Sequence, residues 1–274
     1  MALGNLIPAN NRTETSRDAI ARIIVRLVAF AAFIAAQVTW VAAAEIKVFS
    51  TIGVKGALEE LIPTFEKSSG HKLDVTWSTA ALLAKRVESG EQADVLILIK
   101  NNVESLLKEG KIVPGTETLL GQSIFAVGIK TGASKPDVST PEAFKQSLLA
   151  AKGISYSDPA SGGASGVYIA KQIDKMGITE QLKGKTKFPP SGGFSATLLT
   201  SGDADIAIQS KPELLTVAGV EVVGPLPGDM AFTVVYAAGV QSGAAQAEAA
   251  KAFLRFLKSP EAQAVFKAKG YDPA

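Results

Sequence analysis

Short apolar runs alternate with amphipathic segments along most of the chain. The runs 46–51 ("IKVFST") and 93–99 ("ADVLILI") predict strands, and the second has no polar alternation, so both of its faces should be covered. Residues 56–70 ("GALEELIPTFEKSSG") carry apolar side chains at helical spacing, although Pro63 predicts a kink, and glycine ends the segment. This strand-helix order predicts an α/β fold whose parallel strands are covered by helices.

The pattern restarts after the strand predicted at 119–129 ("LLGQSIFAVGI"). Further strands are predicted at 154–157 ("ISYS"), 204–209 ("ADIAIQ"), 220–226 ("VEVVGPL") and 231–240 ("AFTVVYAAGV"), with helices between them and two helices at the end. Two α/β units of similar size, joined by a chain that crosses between them, predict two lobes and a cleft. We expect lobe 1 to comprise residues 45–124 plus 233–274 and lobe 2 to comprise residues 125–232.

The N-terminus has the pattern of a targeting segment. Arg12, Arg17, Arg22 and Arg26 precede an apolar run that ends in the small residues 42–44 ("AAA") before Glu45. This order is typical of a cleaved secretory signal peptide, here residues 1–44, and predicts an exported, periplasmic protein. An uncleaved membrane anchor is the competing interpretation, but the run is short for a span and contains polar residues.

Composition narrows the chemistry. The chain has 274 residues, 28 basic and 26 acidic side chains, one histidine and no cysteine. The leader holds four arginines, Glu14 and Asp18, so its removal leaves 24 basic and 24 acidic residues. A neutral chain without basic runs argues against nucleic acid, and the lack of cysteine argues against a disulfide framework and a metal site. We expect no metal and no cofactor.

Glycine and small polar residues follow the predicted strands. The clearest stretch is "SDPASGGASGVYIAKQI" (157–173), where glycines and serines precede a helix; "STIGVKG", "STAAL", "SGGFS" and "QSKPE" resemble it. Unpaired N–H groups at a helix start, short hydroxyls and close backbone approach favour an anion site, and loops beyond the carboxyl ends of strands are where such sheets bind ligands. A mobile, well-capped turn is the alternative for the first stretch.

Nucleotide and hydrolase chemistry is disfavoured. "GGASGVY" lacks the Lys-Ser/Thr ending of a phosphate-binding P-loop, and no G-x-G-x-x-G follows the first strand. "GASGV" is not a nucleophile elbow, and His71 alone supplies no evident base for a serine. A pair of acidic catalytic residues stays open, because aspartate and glutamate are plentiful.

The chain resembles the periplasmic molybdate-binding proteins and their wider relatives, the solute-binding components of ABC importers. The likeness is carried by "IKVFSTIGVKGALEELIPTFEKSSGHKLDV", "LLAKRVESGEQADVLI", "DPASGGASGVYIAKQIDKMGI" and "LRFLKSPEAQAVFKAKGY", and it covers nearly all of residues 45–274. The resemblance implies a two-lobe periplasmic-binding-protein fold of type II that closes on a small anion. It also implies delivery to a membrane permease, and we expect a monomer.

The resemblance places five ligand loops near Gly53, Ala80, Ser165, Phe194 and Gln209, with Ser78 and Thr79 beside the second. The family's serines in the first two loops are here Gly53 and Ala80, and its late tyrosine is Gln209. Losing one charge-assisted hydrogen bond costs about 1.5–3 kcal/mol. The resemblance therefore implies a molybdate-like oxyanion or a small carboxylate without identifying the anion.

The wider group also includes a periplasmic enzyme that isomerises aconitate, so an isomerase is the alternative function. Its base would be sought at Lys55, Tyr156, Asp158 or Tyr168, near the predicted loops. An exposed lysine and helix packing are the structural interpretations of Lys55 and Tyr168. A sensor or surface module is a third hypothesis.

Overall fold

The computed structural model describes residues 43–190 and 193–274, so the predicted signal peptide lies almost entirely outside the described residues. In these ranges the strands are β1 Glu45–Thr51, β2 Lys72–Ser78, β3 Val95–Ile99, β4 Thr118–Lys130, β5 Ile154–Tyr156, β6 Thr186–Lys187, β7 Ile206–Ser210, β8 Val220–Pro225 and β9 Thr233–Val240. The helices are α1 Lys55–Ser69, α2 Ala80–Glu88, α3 Lys100–Lys108, α4 Pro141–Ala150, α5 Ala164–Lys175, α6 Thr179–Lys183, α7 Thr197–Thr200, α8 Lys211–Thr216, α9 Ala247–Leu257 and α10 Pro260–Ala268.

The strands form one hydrogen-bonded array in the order β2-β1-β3-β9-β4-β7-β5-β6, with β8 also paired to β4. The predicted parallel pairing is present at both ends, where β1 lies parallel to β2 and β3, and β5 lies parallel to β6 and β7. The long strands β4 and β9 run antiparallel to each other between these two groups. Antiparallel strands therefore join two parallel units.

Strand β4 changes partner along its length. Residues 118–124 pair with β9, whereas residues 125–128 pair with β7, and 126–130 pair with β8. The change of partner falls between Ile124 and Phe125, and β9 begins at Thr233. These positions match the ends of the predicted lobes, but residues 43–274 pack as one unit. The lobe boundaries stay a prediction.

The covered strand β3 shows how the core is built. Val95 and Ile97 belong to the apolar cluster that includes α1 and α9, and Leu96 and Leu98 belong to the cluster that includes α2 and α3. Successive side chains of a strand point to opposite faces, so helices on both faces bury an unbroken apolar run. Phe65 of α1 packs against Phe253 of α9 with ring centroids 4.8 Å apart.

Several element ends differ from the sequence-based expectation for local reasons. Helix α1 runs on through Pro63 and ends at Gly70, whose φ of 75° is a left-handed cap. Helix α5 begins at Ala164, within the glycine- and serine-rich stretch expected to precede it, and strand β5 ends at Tyr156, one residue before its predicted end. Strand β9 starts two residues later than predicted, because a 3₁₀ turn at Gly228–Met230 precedes it.

Candidate functional site

A small cavity lies where the strand ends of the two parallel units meet. Its volume is about 30 Å³. The ends of β1, β2, β3 and β5, the starts of α2 and α5, helix α8 and the crossing strands β4 and β9 contribute to its wall. The cavity therefore lies at the carboxyl edge of the parallel strands, where open α/β sheets bind ligands.

Two helix N-termini contribute to this wall. Helix α2 begins at Ala80 after the N-cap Thr79, and helix α5 begins at Ala164 after the N-cap Gly163. The first N–H groups of a helix have no partner inside it, and the macrodipole gives this end partial positive charge. No side chain of the described residues caps α5. These N–H groups favour an anion in the cavity.

Two buried serines add a hydroxyl donor. The Oγ atoms of Ser157 and Ser165 lie 3.1 Å apart, and both residues contribute to the wall. Two hydroxyls carry two protons, and one proton lies between the two oxygens, so the other is left for a further acceptor. The side-chain amide of Gln209 donates to Ser157 Oγ over 3.4 Å, which uses an acceptor position. The serine pair can therefore donate one hydrogen bond to a ligand.

Glu213 of α8 is the charged side chain in the described part of this wall. It is 6% exposed. Its Oε1 accepts a hydrogen bond from Gln209 Nε2 at 2.8 Å, and its Oε2 accepts from the Ser210 backbone N–H at 3.3 Å and from the Ser210 hydroxyl. Burial raises the pKa of Glu213 to about 7, and the bonds from Ser210 and Gln209 oppose part of this shift. The carboxyl group therefore exchanges its proton near neutral pH.

The local sequence explains why Glu213 faces the end of β7. Ser210 and Glu213 form a capping box, in which the N-cap hydroxyl and the glutamate three residues later bond to each other's backbone N–H groups. Pro212 occupies the first turn, where its missing N–H is not needed. The capping box turns the carboxyl group back toward the end of β7, and Glu213 itself lines the cavity.

Gln209 holds the serine pair and Glu213 together. The backbone N–H of Ser195 donates to Gln209 Oε1 at 2.8 Å, and a backbone N–H can only donate. The amide nitrogen of Gln209 therefore faces Ser157 and Glu213. Gln209 is fully buried and lies behind the wall. Its role in the geometry is to position two groups that line the cavity.

Tyr236 of β9 explains why the first loop carries glycine. A Cβ atom on Gly53 would lie 2.5 Å from Tyr236 Cε1 and 2.7 Å from its hydroxyl oxygen. The Tyr271 hydroxyl donates to the backbone oxygen of Gly53 and holds the loop from the other side. Burial raises the pKa of Tyr236 far above its ordinary value, so the phenol stays neutral. Tyr236 fills the space that a side chain at position 53 would need.

The seven residues predicted from the sequence divide into two groups. Four contribute to the cavity wall: Gly53, Thr79, Ala80 and Ser165. Three lie outside it: Ser78, Phe194 and Gln209. The Thr79 hydroxyl donates to the backbone oxygen of Ser161 at 2.8 Å and accepts from Leu82 N at 3.3 Å. The bond to Ser161 links the two parallel units. Because that bond uses the hydroxyl proton of Thr79, a ligand contact of this residue would come from its backbone N–H.

A second cavity of about 60 Å³ adjoins the first and shares Ile52, Thr79 and Ser157 with it. Near the same loops, the ammonium group of Lys55 lies 5.8 Å from the ring centre of Trp77 and 6.0 Å from that of Phe194. The Lys55 ammonium group is therefore within cation–π distance of the Phe194 ring. Neither residue belongs to the wall of either cavity.

The four residues considered as bases lie outside the first cavity. The Tyr168 hydroxyl donates to the Met230 backbone oxygen at 3.1 Å, and its ring packs on Phe232. Tyr156 is buried against Phe188, and burial raises its pKa. Asp158 caps a 3₁₀ turn and lines the second cavity. Glu213 is better placed for proton transfer than any of them.

Sequence reasoning missed Ser157, Glu213 and Tyr236 as site residues. The capping-box pattern Ser-x-x-Glu directly after a predicted strand was the available signal for Glu213. Tyr236 lies inside an apolar run and carries no such signal.

Among the described residues, no helix is long and apolar enough to cross a membrane. The same residues contain no group of three or more His, Cys, Asp or Glu side chains that could hold a metal ion.

Comparison with known proteins identifies the family. A family profile described as bacterial extracellular solute-binding protein matches residues 46–272, so the chain belongs to this family. The chain is 31% identical to an aconitate isomerase of a Pseudomonas species over 232 residues, 82% of this chain and 87% of that protein. It is 26% identical to the molybdate-binding protein ModA of Escherichia coli K12, over 83% and 88% of the two chains.

Comparison with solved structures gives the fold. The periplasmic molybdate-binding protein of Azotobacter vinelandii superposes with a TM-score of 0.67 at 21% identity, covering 84% of this chain and 99% of that one. The predicted two-lobe periplasmic-binding-protein fold of type II is confirmed.

Proposed function

We propose that this protein binds a small oxyanion or carboxylate in the cavity and delivers it to the permease of an ABC importer. The observation that carries the proposal is the set of donors in the wall: two helix N-termini and the Ser157–Ser165 hydroxyl pair. No lysine, arginine or histidine is among the wall residues that the structure describes. Such a site holds an anion through N–H and O–H groups.

The size of the cavity favours a small ligand. The first cavity has a volume of about 30 Å³, so it disfavours bulky ligands and leaves a compact anion, such as a tetrahedral oxyanion, as the better candidate. A longer carboxylate would also occupy the adjoining cavity of about 60 Å³. Size and the number of donors would together set the specificity of the site.

Export and transport complete the proposal. Residues 1–44 act as a signal peptide that is removed, and residues 45–274 work in the periplasm as a monomer. Membership of the extracellular solute-binding family supports a membrane permease as the partner. The exported part has no net charge, and this argues against nucleic acid as a partner.

A thermal-shift panel on residues 45–274 tests the binding function. The panel contains molybdate, tungstate, sulfate, phosphate, citrate and both aconitate isomers. A ligand at 100 times its Kd stabilises the protein by about 2.7 kcal/mol, which is roughly 5–11 °C for a chain of this size. A shift with one class of anion supports the proposal. No shift with any of them contradicts it.

An isomerase of aconitate is the second candidate, and Glu213 favours it. A carboxylate whose pKa is about 7 is suited to proton transfer at neutral pH. Glu213 would remove a proton from the methylene carbon of the substrate and return it to the alkene carbon two bonds away. The double bond then joins the central carbon to the carbon that lost the proton. Protons and electrons therefore balance within the substrate. The similarity to a protein named aconitate isomerase supports this candidate.

Turnover separates the two candidates. The isomerase predicts conversion of cis- to trans-aconitate by the purified protein and loss of this activity in Glu213→Gln. Glu221→Gln is a matched control, because Glu221 pairs with Lys135 away from the cavity. Binding without turnover supports the transport function alone.

A further inference from the structure

The described wall of the cavity contains both hydrogen-bond donors and a carboxyl group. The donors are the serine pair and the start of α5, whereas Glu213 comes from α8. A ligand that fills this space therefore meets both donors and an acceptor.

The Glu213 carboxyl group has room for one more hydrogen bond. Its Oε2 accepts two bonds from Ser210, but its Oε1 accepts a single bond, from Gln209, within the described residues. An ionised carboxylate oxygen can accept two hydrogen bonds. Oε1 can therefore accept a proton donor that belongs to the ligand.

The described groups around Glu213 place no positively charged side chain beside its carboxyl group. Within residues 43–190 and 193–274, the titratable side chains that face it are two phenols, Tyr236 and Tyr271, and burial raises the pKa of both. Helix α8 also packs on β4, β7, β8, α1 and the turn at 52–54. Charged residues on these and adjoining elements have partners or positions other than Glu213. Lys55 lies near Glu59, Glu60 pairs with Lys269, and Glu221 pairs with Lys135. Lys130 is exposed, and Lys211 lies along Gly270.

Two tetrahedral dianions show what this arrangement distinguishes. Sulfate and hydrogen phosphate have the same shape and charge near pH 8, but only hydrogen phosphate carries a proton. A sulfate oxygen beside ionised Glu213 places two negative oxygens together, so the protein must first take up a proton. Hydrogen phosphate donates its own proton to the carboxylate and accepts from the serine pair and the helix N–H groups.

We propose that Glu213 makes the site selective for small oxyanions that carry a proton, such as hydrogen phosphate, over fully deprotonated oxyanions such as sulfate and molybdate. This inference rests on the proposed function, since it concerns the same cavity. It differs from that function by naming the class of ligand and the residue that selects it.

Calorimetric titration of the purified protein with phosphate, sulfate and molybdate at pH 8 tests the inference without any substitution. We expect phosphate to bind at least about tenfold more tightly, which corresponds to one hydrogen bond to a charged group. Sulfate binding should take up one proton, seen as a dependence of the heat on the buffer, and should weaken about tenfold per pH unit above the pKa of Glu213. Phosphate binding at pH 8 should take up none.

Glu213→Gln adds a second test, with Glu221→Gln as the matched control. The preference for phosphate and the pH dependence of sulfate binding should disappear in Glu213→Gln and remain in the control. Sulfate or molybdate binding as tightly as phosphate at pH 8 to the unsubstituted protein would overturn this inference while leaving the proposed function intact. If none of the three anions and no carboxylate binds, the proposed function itself fails.

Discussion

The two sides of the cavity differ in how they are built. Most of the donor side is local, because Ser157, Ser165 and the start of α5 lie within a few residues of one another in the sequence, and the start of α2 completes it. The carboxyl side is assembled from separate elements: Gln209 and Ser210 end β7, Glu213 belongs to α8 and Tyr236 belongs to β9. The donor side would attract any small anion, whereas the carboxyl side would decide which anions are accepted.

The largest expected effect breaks the donor side. A Cβ atom on Gly166 would lie 2.1 Å from the backbone oxygen of Ser157, which cannot move as a side chain could. Gly166→Ala should therefore displace the start of α5 and lower the free energy of unfolding by about 3 kcal/mol. Loss of two hydrogen bonds to an anion should weaken binding about a hundredfold. Thermal unfolding and anion titration measure the two effects.

Gly184→Ala is the matched control for this change. In the part of the chain that the structure describes, nothing lies within 4 Å of a Cβ placed on Gly184, and its φ is −74°. Affinity should be unchanged there. Gly166→Ala with unchanged affinity would show that the helix start does not bind the ligand.

The next effect isolates the carboxyl side in the ligand-free protein. Because burial raises the pKa of Glu213 from 4.5 to about 7, the folded protein holds this proton more tightly than the unfolded chain. The contribution of this proton to the free energy of unfolding is fully present below pH 4.5 and is lost as the pH rises to 7. The free energy of unfolding changes by about 3 kcal/mol over this range. This contribution to the pH dependence should be absent in Glu213→Gln. Urea unfolding at pH 5 and pH 8 measures it, and equal pH dependence in both proteins would contradict the placement of Glu213.

A smaller effect tests the shared proton of the serine pair. Ser165→Ala leaves Ser157 with its own hydroxyl proton, so affinity for the anion should fall only a few-fold. The double variant Ser157→Ala/Ser165→Ala removes the donor and should lose about tenfold or more. Titration of the single and double variants measures the difference. Losses that simply add would argue against one proton shared by two oxygens.

The smallest effect concerns Thr79, which joins the two parallel units. Thr79→Val removes the bond to Ser161 and the cap of α2, and it should cost about 1 kcal/mol of stability. Thr79→Ser keeps the hydroxyl and should restore most of the loss in a thermal unfolding measurement. Thr79→Val as stable as the unsubstituted protein would contradict this role of the hydroxyl.

The sequence predicted the elements that depend on local pattern. The uniform apolar run of β3 and the glycine after α1 placed these elements correctly, and glycines and serines marked the start of α5. Glu213 and Tyr236 escaped notice because their place at the cavity depends on which strands pair. Tyr236 reaches Gly53 only because β9 pairs with β3 and β4, and no local signal reports that pairing.

A crystal structure of the protein with hydrogen arsenate would test the central claim most directly. Hydrogen arsenate has the shape and the proton of hydrogen phosphate, and its arsenic is located by anomalous scattering. The account predicts one peak in the cavity, with ligand oxygens within about 3.2 Å of Glu213 Oε1 and of a hydroxyl of the Ser157–Ser165 pair. A peak elsewhere, or oxygens that avoid Glu213, would contradict it.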